Sequence, residues 1–295
     1  MRSGPPGESR PPRVQPVAAA GRIRADEAAG TVAIIAHGGA SSLAPENTLA
    51  AARKAHALGA DVWETDTAIT ADGQVVLMHD DAMMRTTDVA DRFPDRVPAP
   101  FSTYTLAEIR ALDAGSWFER ADPFGQVAAG AVTAGELASY RGEKVPMLRE
   151  ALELTLELDW RMNLELKAQP KPHDTFDVVS AVLRLVDEVG IGPDHLLFSS
   201  ARHEWLKALT ARRPEFEVQA ILGLFPEDPI DFSDPFFGTF NPRITRVSLD
   251  ELREVLARGI RVNPYTPNEP EEIAELMAIG VTGIITDFPQ RGARA

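Results

Sequence analysis

The chain has 295 residues, 44% hydrophobic and 25% charged, enough for one large core or two small ones. It has no Cys, which excludes disulfides, thiolate metal sites and thiol nucleophiles. Thirty Lys and Arg against 44 Asp and Glu leave a net charge of −14, which repels nucleic acid and anionic membranes and opposes a phosphate ester unless local charges reverse it.

No apolar run approaches the ~20 residues that cross a bilayer, so no stable membrane insertion is expected. The N-terminus, MRSGPPGESRPPRVQPVAAAGR, is rich in Pro and Arg and lacks the apolar stretch of a secretory signal. Residues 1–30 are expected to form a disordered arm, with a single domain over 31–295 and a cytoplasmic location.

TVAIIAH (31–37) is a short apolar run of the kind that forms a buried strand. Pro45 and Asn47 open a helical stretch, NTLAAARKAHAL, which Gly59 stops. DVWETDTAIT (61–70) and QVVLMHD (74–80) follow, separated by a short loop carrying Asp72-Gly73. Asp-Gly is a strong two-residue hairpin turn, and a parallel crossover needs a dozen or more residues, so these runs are expected to be antiparallel. That pairing sets His79 opposite Asp66 and Asp81 opposite Glu64. Residues 82–147 then break the pattern and read as an insertion rich in Phe and Trp, a lid or pocket wall.

Six further strand-like runs follow: RMNLELK (161–167), HLLFSS (195–200), EVQAIL (217–222), ITRVS (244–248), RVNPYT (261–266) and GIITD (283–287). Amphipathic helices are expected at 148–158, 176–190, 204–213, 249–259 and 269–280. This alternation predicts an α/β fold, a TIM-type (β/α)8 barrel with an inserted segment between the third and fourth strands. Nine runs are one too many for eight barrel strands, and the hairpin arm at 74–80 is the surplus one. An open doubly wound sheet is the competing architecture, weakened because no G-x-G-x-x-G turn follows the first strand.

Four clusters fall at the C-terminal ends of strands, where barrel active sites assemble. They are His37-Gly38-Gly39, Glu64-x-Asp66, His79-Asp80-Asp81 and Glu165-x-Lys167. Residues i and i+2 of a strand share a face, so Glu64 and Asp66 point the same way. Two inward carboxylates repel unless a cation lies between them, whereas on an outward face they are simply solvated. With Glu165 they form an oxygen-rich set suited to a hard cation, Mg²⁺ or Ca²⁺. His37 and His79 supply a general acid and a general base. The combination points to metal-assisted phosphoryl-ester chemistry.

The string AHGGASSLAPENTLAAARKAHALGADVWETDTAITADGQVVLMHDD (36–81) resembles the signature of the glycerophosphodiester phosphodiesterase family. RTT (85–87), VPMLREAL (145–152), NLELK (163–167), FSS (198–200) and GVTGIITDFP (280–289) resemble its later motifs. The resemblance implies metal-assisted hydrolysis of a small glycerophosphodiester to an alcohol and glycerol 3-phosphate. It implies Glu64, Asp66 and Glu165 as metal ligands, His37 and His79 as the acid/base pair, and Lys167 as a phosphate contact. Pro45-Glu46-Asn47-Thr48 matches the stretch that supports the site. The chain departs from the family twice: Gly38 replaces an arginine that contacts phosphate, and Tyr265 stands where a Trp lines the site. Two rival readings remain: a barrel phospholipase acting on lysophospholipid or sphingomyelin, with an apolar mouth formed by 82–147, and a non-catalytic metal-binding barrel.

Overall fold

The computed structural model describes residues 31–292. The expected N-terminal arm lies outside the described residues. The strands are β1 (Ala33–His37), β2 (Val62–Ile69), β3 (Val75–Leu77), β4 (Met162–Glu165), β5 (Leu196–Ser200), β6 (Val218–Leu222), β7 (Thr239–Pro242), β8 (Arg261–Val262) and β9 (Gly283–Thr286). The helices are α1 (Leu49–Ala57), α2 (Val89–Arg92), α3 (Leu106–Ala111), α4 (Trp117–Ala121), α5 (Ala134–Tyr140), α6 (Leu148–Glu157), α7 (Val178–Val189), α8 (His203–Arg212), α9 (Leu249–Ala257) and α10 (Pro270–Ile279).

Eight strands run parallel in the order β8-β7-β6-β5-β4-β2-β1-β9. A bridge between Tyr265 and Ile285, with the Ile285 N–H donating to the Pro264 carbonyl at 3.0 Å, joins the two ends. The result is the TIM-type barrel expected from the alternation, and β3 is the surplus arm, antiparallel to β2.

Period-two alternation divides each strand between two environments. Outward side chains such as Trp63, Met162, Leu164, Leu196 and Phe198 are fully buried under the helices. Trp63 stacks on Trp160 at 6.1 Å and donates its indole N–H to Thr155 Oγ1 at 3.1 Å. Inward side chains are largely polar: Glu64, Asp66, Asn163, Ser199, Gln219, Asn241 and Asn263 are all buried. The barrel therefore holds its core between sheet and helices and reserves its axis for chemistry.

Two local expectations need correction. The β2–β3 loop holds three residues, because Thr70 and Gln74 pair across it (Thr70 N–H to Gln74 carbonyl, 2.9 Å) and Gly73 takes the left-handed φ of +76°. A three-residue hairpin with Gly in that conformation displaces the two-residue turn and shifts the register by one. Thr67 pairs with Leu77, Met78 donates to the Asp66 carbonyl at 3.1 Å, and His79 lies just beyond the strand. His79 and Asp81 are thus not the ladder partners of Asp66 and Glu64. Second, the strand expected at 244–248 lies earlier, as β7 in TFNP. Ser248 and Glu251 form a reciprocal capping box that starts α9, so Ser248 belongs to the helix. The inward-facing Asn241 and the terminal Pro242 hide β7 from a search for apolar runs.

The insertion at 82–147 is itself structured. It carries α2, α3, α4 and α5, with capping boxes at Thr105/Glu108 and Thr133/Glu136. Its aromatics turn inward. Phe101 and Tyr104 pack with Val76, Met83, Ile109 and Leu112, while Trp117, Phe118 and Tyr140 pack with Leu43, Ala44 and Ala51. The segment clasps the β2–β3 arm and the β1–α1 loop, with Lys54 paired to Glu136 at 2.5 Å. Gly39 (φ +85°) lets that loop lie against α1, since a Cβ there would meet the Ala51 backbone at 2.6 Å.

Trp63→Ala should empty a fully buried site and lower unfolding free energy by about 3–5 kcal/mol. Denaturant unfolding followed by circular dichroism checks this.

Candidate active site

Parallel register assembles the site. His37 pairs with Glu64, and Asp66 pairs with Glu165, so the ends of β1, β2 and β4 come level at the barrel mouth. One carboxylate oxygen from each of Glu64, Asp66 and Glu165 lies within 4.8 Å of the others. β2 is buried at every position, so the inward placement of Glu64 and Asp66 holds and the solvated-face alternative does not.

Each histidine is tethered through Nδ1 to a carboxylate. His37 Nδ1 lies 2.7 Å from Asp287 Oδ1, and its Nε2 lies 4.0 Å from Glu64. Asp287 itself accepts from Ser41 Oγ at 3.2 Å and Asn268 Nδ2 at 2.7 Å. His79 Nδ1 lies 2.7 Å from Asp80 Oδ1. Asp80 accepts from Arg85 Nε at 2.6 Å, and the same guanidinium grips Glu46 with two bonds of 2.6 Å. Both imidazoles are therefore left with Nε2 for proton exchange. Lys167 Nζ donates to the His79 carbonyl at 2.9 Å and lies 3.6 Å from Asp66. Asn47 donates to Asp66 at 3.1 Å and accepts from Thr65 Oγ1 at 2.6 Å. Tyr265 donates its hydroxyl to the Leu222 carbonyl at 3.1 Å and carries Arg243 over its ring at 5.8 Å.

Two cavities share the histidines. One, about 110 Å³, is lined by Glu64, Glu165, Lys167, Asn163, Arg243 and Tyr265 as well as His37 and His79. The other, about 170 Å³, reaches toward Gly38, Arg85, Phe124 and Asp287. The two cavities bring all seven predicted site residues together. The sequence assigns no role to Asp287, Asp80, Arg85, Asn268 or Arg243, although Asp80 stands in the His79-Asp80-Asp81 cluster and Arg85 opens RTT. Asp287 closes the run GIITD, the same strand-end carboxylate signal that drew attention to Glu165.

The charges are strongly coupled. Burial and the neighbouring Asp66 push the Glu64 carboxyl up to about 8. Burial and the same neighbour push Glu165 up to about 7. Burial also opposes ionisation of Asp66, but Lys167, the two histidines and Asn47 outweigh it and hold it below the usual carboxylate range. Burial alone would lower His37, yet Asp287, Glu64 and Asp66 push it up to about 10. His79 is raised, first by its bond to Asp80 and then by Asp66. Three buried carboxylates that lack enough cationic partners to ionise together are a fitting donor set for a hard divalent cation.

The raised carboxyls give a sign to cation binding. Below their raised values Glu64 and Glu165 hold protons that a cation must displace. Adding Mg²⁺ or Ca²⁺ to chelator-treated protein at pH 6.5 should release about one to two protons, fewer as pH rises past 8. Calorimetry in buffers of different ionisation enthalpy measures this; no release at pH 6.5 would show that Glu64 and Glu165 are already ionised before the cation binds.

Residues 37–291 match the family described as Glycerophosphoryl diester phosphodiesterase. The uncharacterized protein YqiK of Bacillus subtilis is 31% identical over 267 residues, covering 88% of this chain and 96% of YqiK. A glycerophosphodiester phosphodiesterase of Caldanaerobacter subterraneus subsp. tengcongensis is 27% identical, with 87% and 94% of the two chains covered. Among solved structures, an Oleispira antarctica phosphodiesterase in complex with its product sn-glycerol-3-phosphate aligns at a TM-score of 0.71 and 26% identity, covering 88% of this chain and 95% of that one. Barrel, strand-end carboxylates and matched sequence agree: the chain is an enzyme of the glycerophosphoryl diester phosphodiesterase family.

Proposed function

We propose that this enzyme hydrolyses small glycerophosphodiesters to an alcohol and glycerol 3-phosphate, with a divalent metal and His37 and His79 as its acid/base pair. The observation that carries the reading is the placement of two carboxylate-tethered imidazoles beside a cluster of three buried carboxylates at one barrel mouth. The product bound to the Oleispira antarctica relative supports the same substrate class.

Glu64, Asp66 and Glu165 would hold Mg²⁺ or Ca²⁺. Bound there, the ion would supply Lewis-acid polarisation of the phosphoryl group and offset its charge. Lys167 adds a positive charge beside Asp66 and orients the phosphate. Tyr265 forms one wall of the substrate cavity. One imidazole takes the proton of the attacking oxygen as its bond to phosphorus forms. The other returns a proton to the alkoxide as the second phosphorus–oxygen bond breaks. Asp287 and Asp80 fix the two rings so that Nε2 is the exchanging atom.

The rival lipid reading needs an apolar mouth on 82–147. That segment exposes only Met84 among its large hydrophobics, so it gives no support. Phe225, 57% exposed, belongs to the connection after β6. Gly38 is the one sequence feature that favours a non-catalytic barrel; the two carboxylate-tethered imidazoles beside the carboxylate cluster favour the enzyme.

With glycerophosphocholine as substrate, His37→Ala and His79→Ala should each lower kcat by about 10²–10⁴. Wild-type rates from both variants would overturn the acid/base assignment. Gly38 leaves the phosphate without an arginine at the end of β1, so its binding should lean on the metal. Chelation should weaken binding of sn-glycerol 3-phosphate, measured directly by calorimetry, about 100-fold or more, as for loss of a divalent partner in a buried site. Binding that persists unchanged in chelator contradicts this.

A further inference from the structure

Among the described residues, Asn163 is the one carboxamide buried with neither its oxygen nor its nitrogen hydrogen-bonded. It is 1% exposed. It pairs in register with Glu64 and precedes Glu165 by two residues, on the same inward face of β4. It therefore lies one inward position deeper than Glu165, level with Glu64, and lines the smaller of the two cavities. The neighbouring amides behave differently. Gln219 Oε1 accepts from both Asn241 and Asn263 at 3.1 Å, and Asn241 Oδ1 accepts from Asn263 at 3.1 Å. That network is closed, and Asn163 stands outside it.

A buried amide with both ends unpaired is destabilising, and a Leu, with the same branched outline, would face the space without that cost. The protein keeps the amide facing its reaction cavity. A carboxamide offers both donors and acceptors. Phosphate oxygens of a diester only accept, and a metal ion takes only the oxygen. A hydroxyl both donates and accepts, so a polyol can satisfy the two ends at once.

We propose that Asn163 binds a hydroxyl of the glycerol unit and so makes the site prefer glycerol over a plain alkyl group on that arm of the phosphodiester. This rests on the functional reading above and assigns its substrate selectivity to one residue. It makes Asn163 a substrate-binding residue with no part in proton transfer.

The test compares wild type, Asn163→Leu and Asn163→Ala in the presence of Mg²⁺ or Ca²⁺. Affinities for sn-glycerol 3-phosphate and ethyl phosphate are measured by calorimetry, and Tm by differential scanning. The expected result is about a 10–100-fold loss of glycerol 3-phosphate affinity in both variants. Ethyl phosphate affinity should change less than about threefold, and Asn163→Leu should keep or raise Tm. Equal loss of both ligands would overturn the proposal, because it would mean a metal-holding or structural role. Unchanged glycerol 3-phosphate affinity would also overturn it, because the amide would then hold only water. If Asn163→Leu does not fold, Asn163→Ala carries the same comparison. Wild-type protein that binds neither phosphate and hydrolyses no glycerophosphodiester would instead sink the functional reading itself.

Discussion

Glu64, Asp66 and Glu165 are held within 4.8 Å of one another by the register of two parallel strands in a closed barrel. Closure means the strands cannot slide or splay to relieve the repulsion. Like charges this close cannot all ionise in a buried site without cations between them. The surroundings meet that demand in part. Lys167 approaches Asp66, His37 approaches Glu64, and Asn47 directs its amide N–H at Asp66. Glu64 and Glu165 remain pushed toward their neutral forms. The shortfall is what suits the cluster to hold a divalent ion.

The histidines extend the same alternation of charge outward. Each ring lies between the carboxylate cluster and a tethering carboxylate, Asp287 for one and Asp80 for the other. The tethers come from opposite ends of the chain: Asp287 follows β9, and Asp80 is anchored by Arg85 at the start of the insertion. The insertion thus contributes to the site chiefly by bracing. Its own cores pack against β3 and the β1–α1 loop, which positions Arg85 to reach Glu46 and Asp80 together. The molecule-wide charge of −14 matters less to the substrate than this local arrangement. At barrel depth, short-range partners in a low dielectric outweigh distant screened charges.

Much of this was readable along the chain. Alternating apolar runs and amphipathic stretches specify the barrel, because each βα unit must bury a fully apolar strand face under one helix stripe. Glu64-x-Asp66 and Glu165-x-Lys167 were legible because charged pairs at spacing two inside apolar strands have few structural uses. β7 was not legible. Its inward Asn241 and terminal Pro242 lack the apolar signature, since a strand facing a polar barrel axis needs only one apolar face. The hairpin register was missed by one residue, because Asp72-Gly73 serves equally in two- and three-residue loops and only Gly73's left-handed backbone tells them apart.

By itself, then, the sequence determined the architecture, the family resemblance and the identities of the polar groups at the strand ends, since these follow from short-range periodicity and motif spacing. Tertiary structure alone decided which side chains meet. Asp287 reaches His37 across 250 positions, and Arg85 reaches Glu46 across 39. It also decided that Asn163 is stranded while Gln219, Asn241 and Asn263 satisfy one another. The physical reason is closure: wrapping the sheet into a barrel makes neighbours of the chain's first and last strands and buries polar groups whose partners local sequence cannot name.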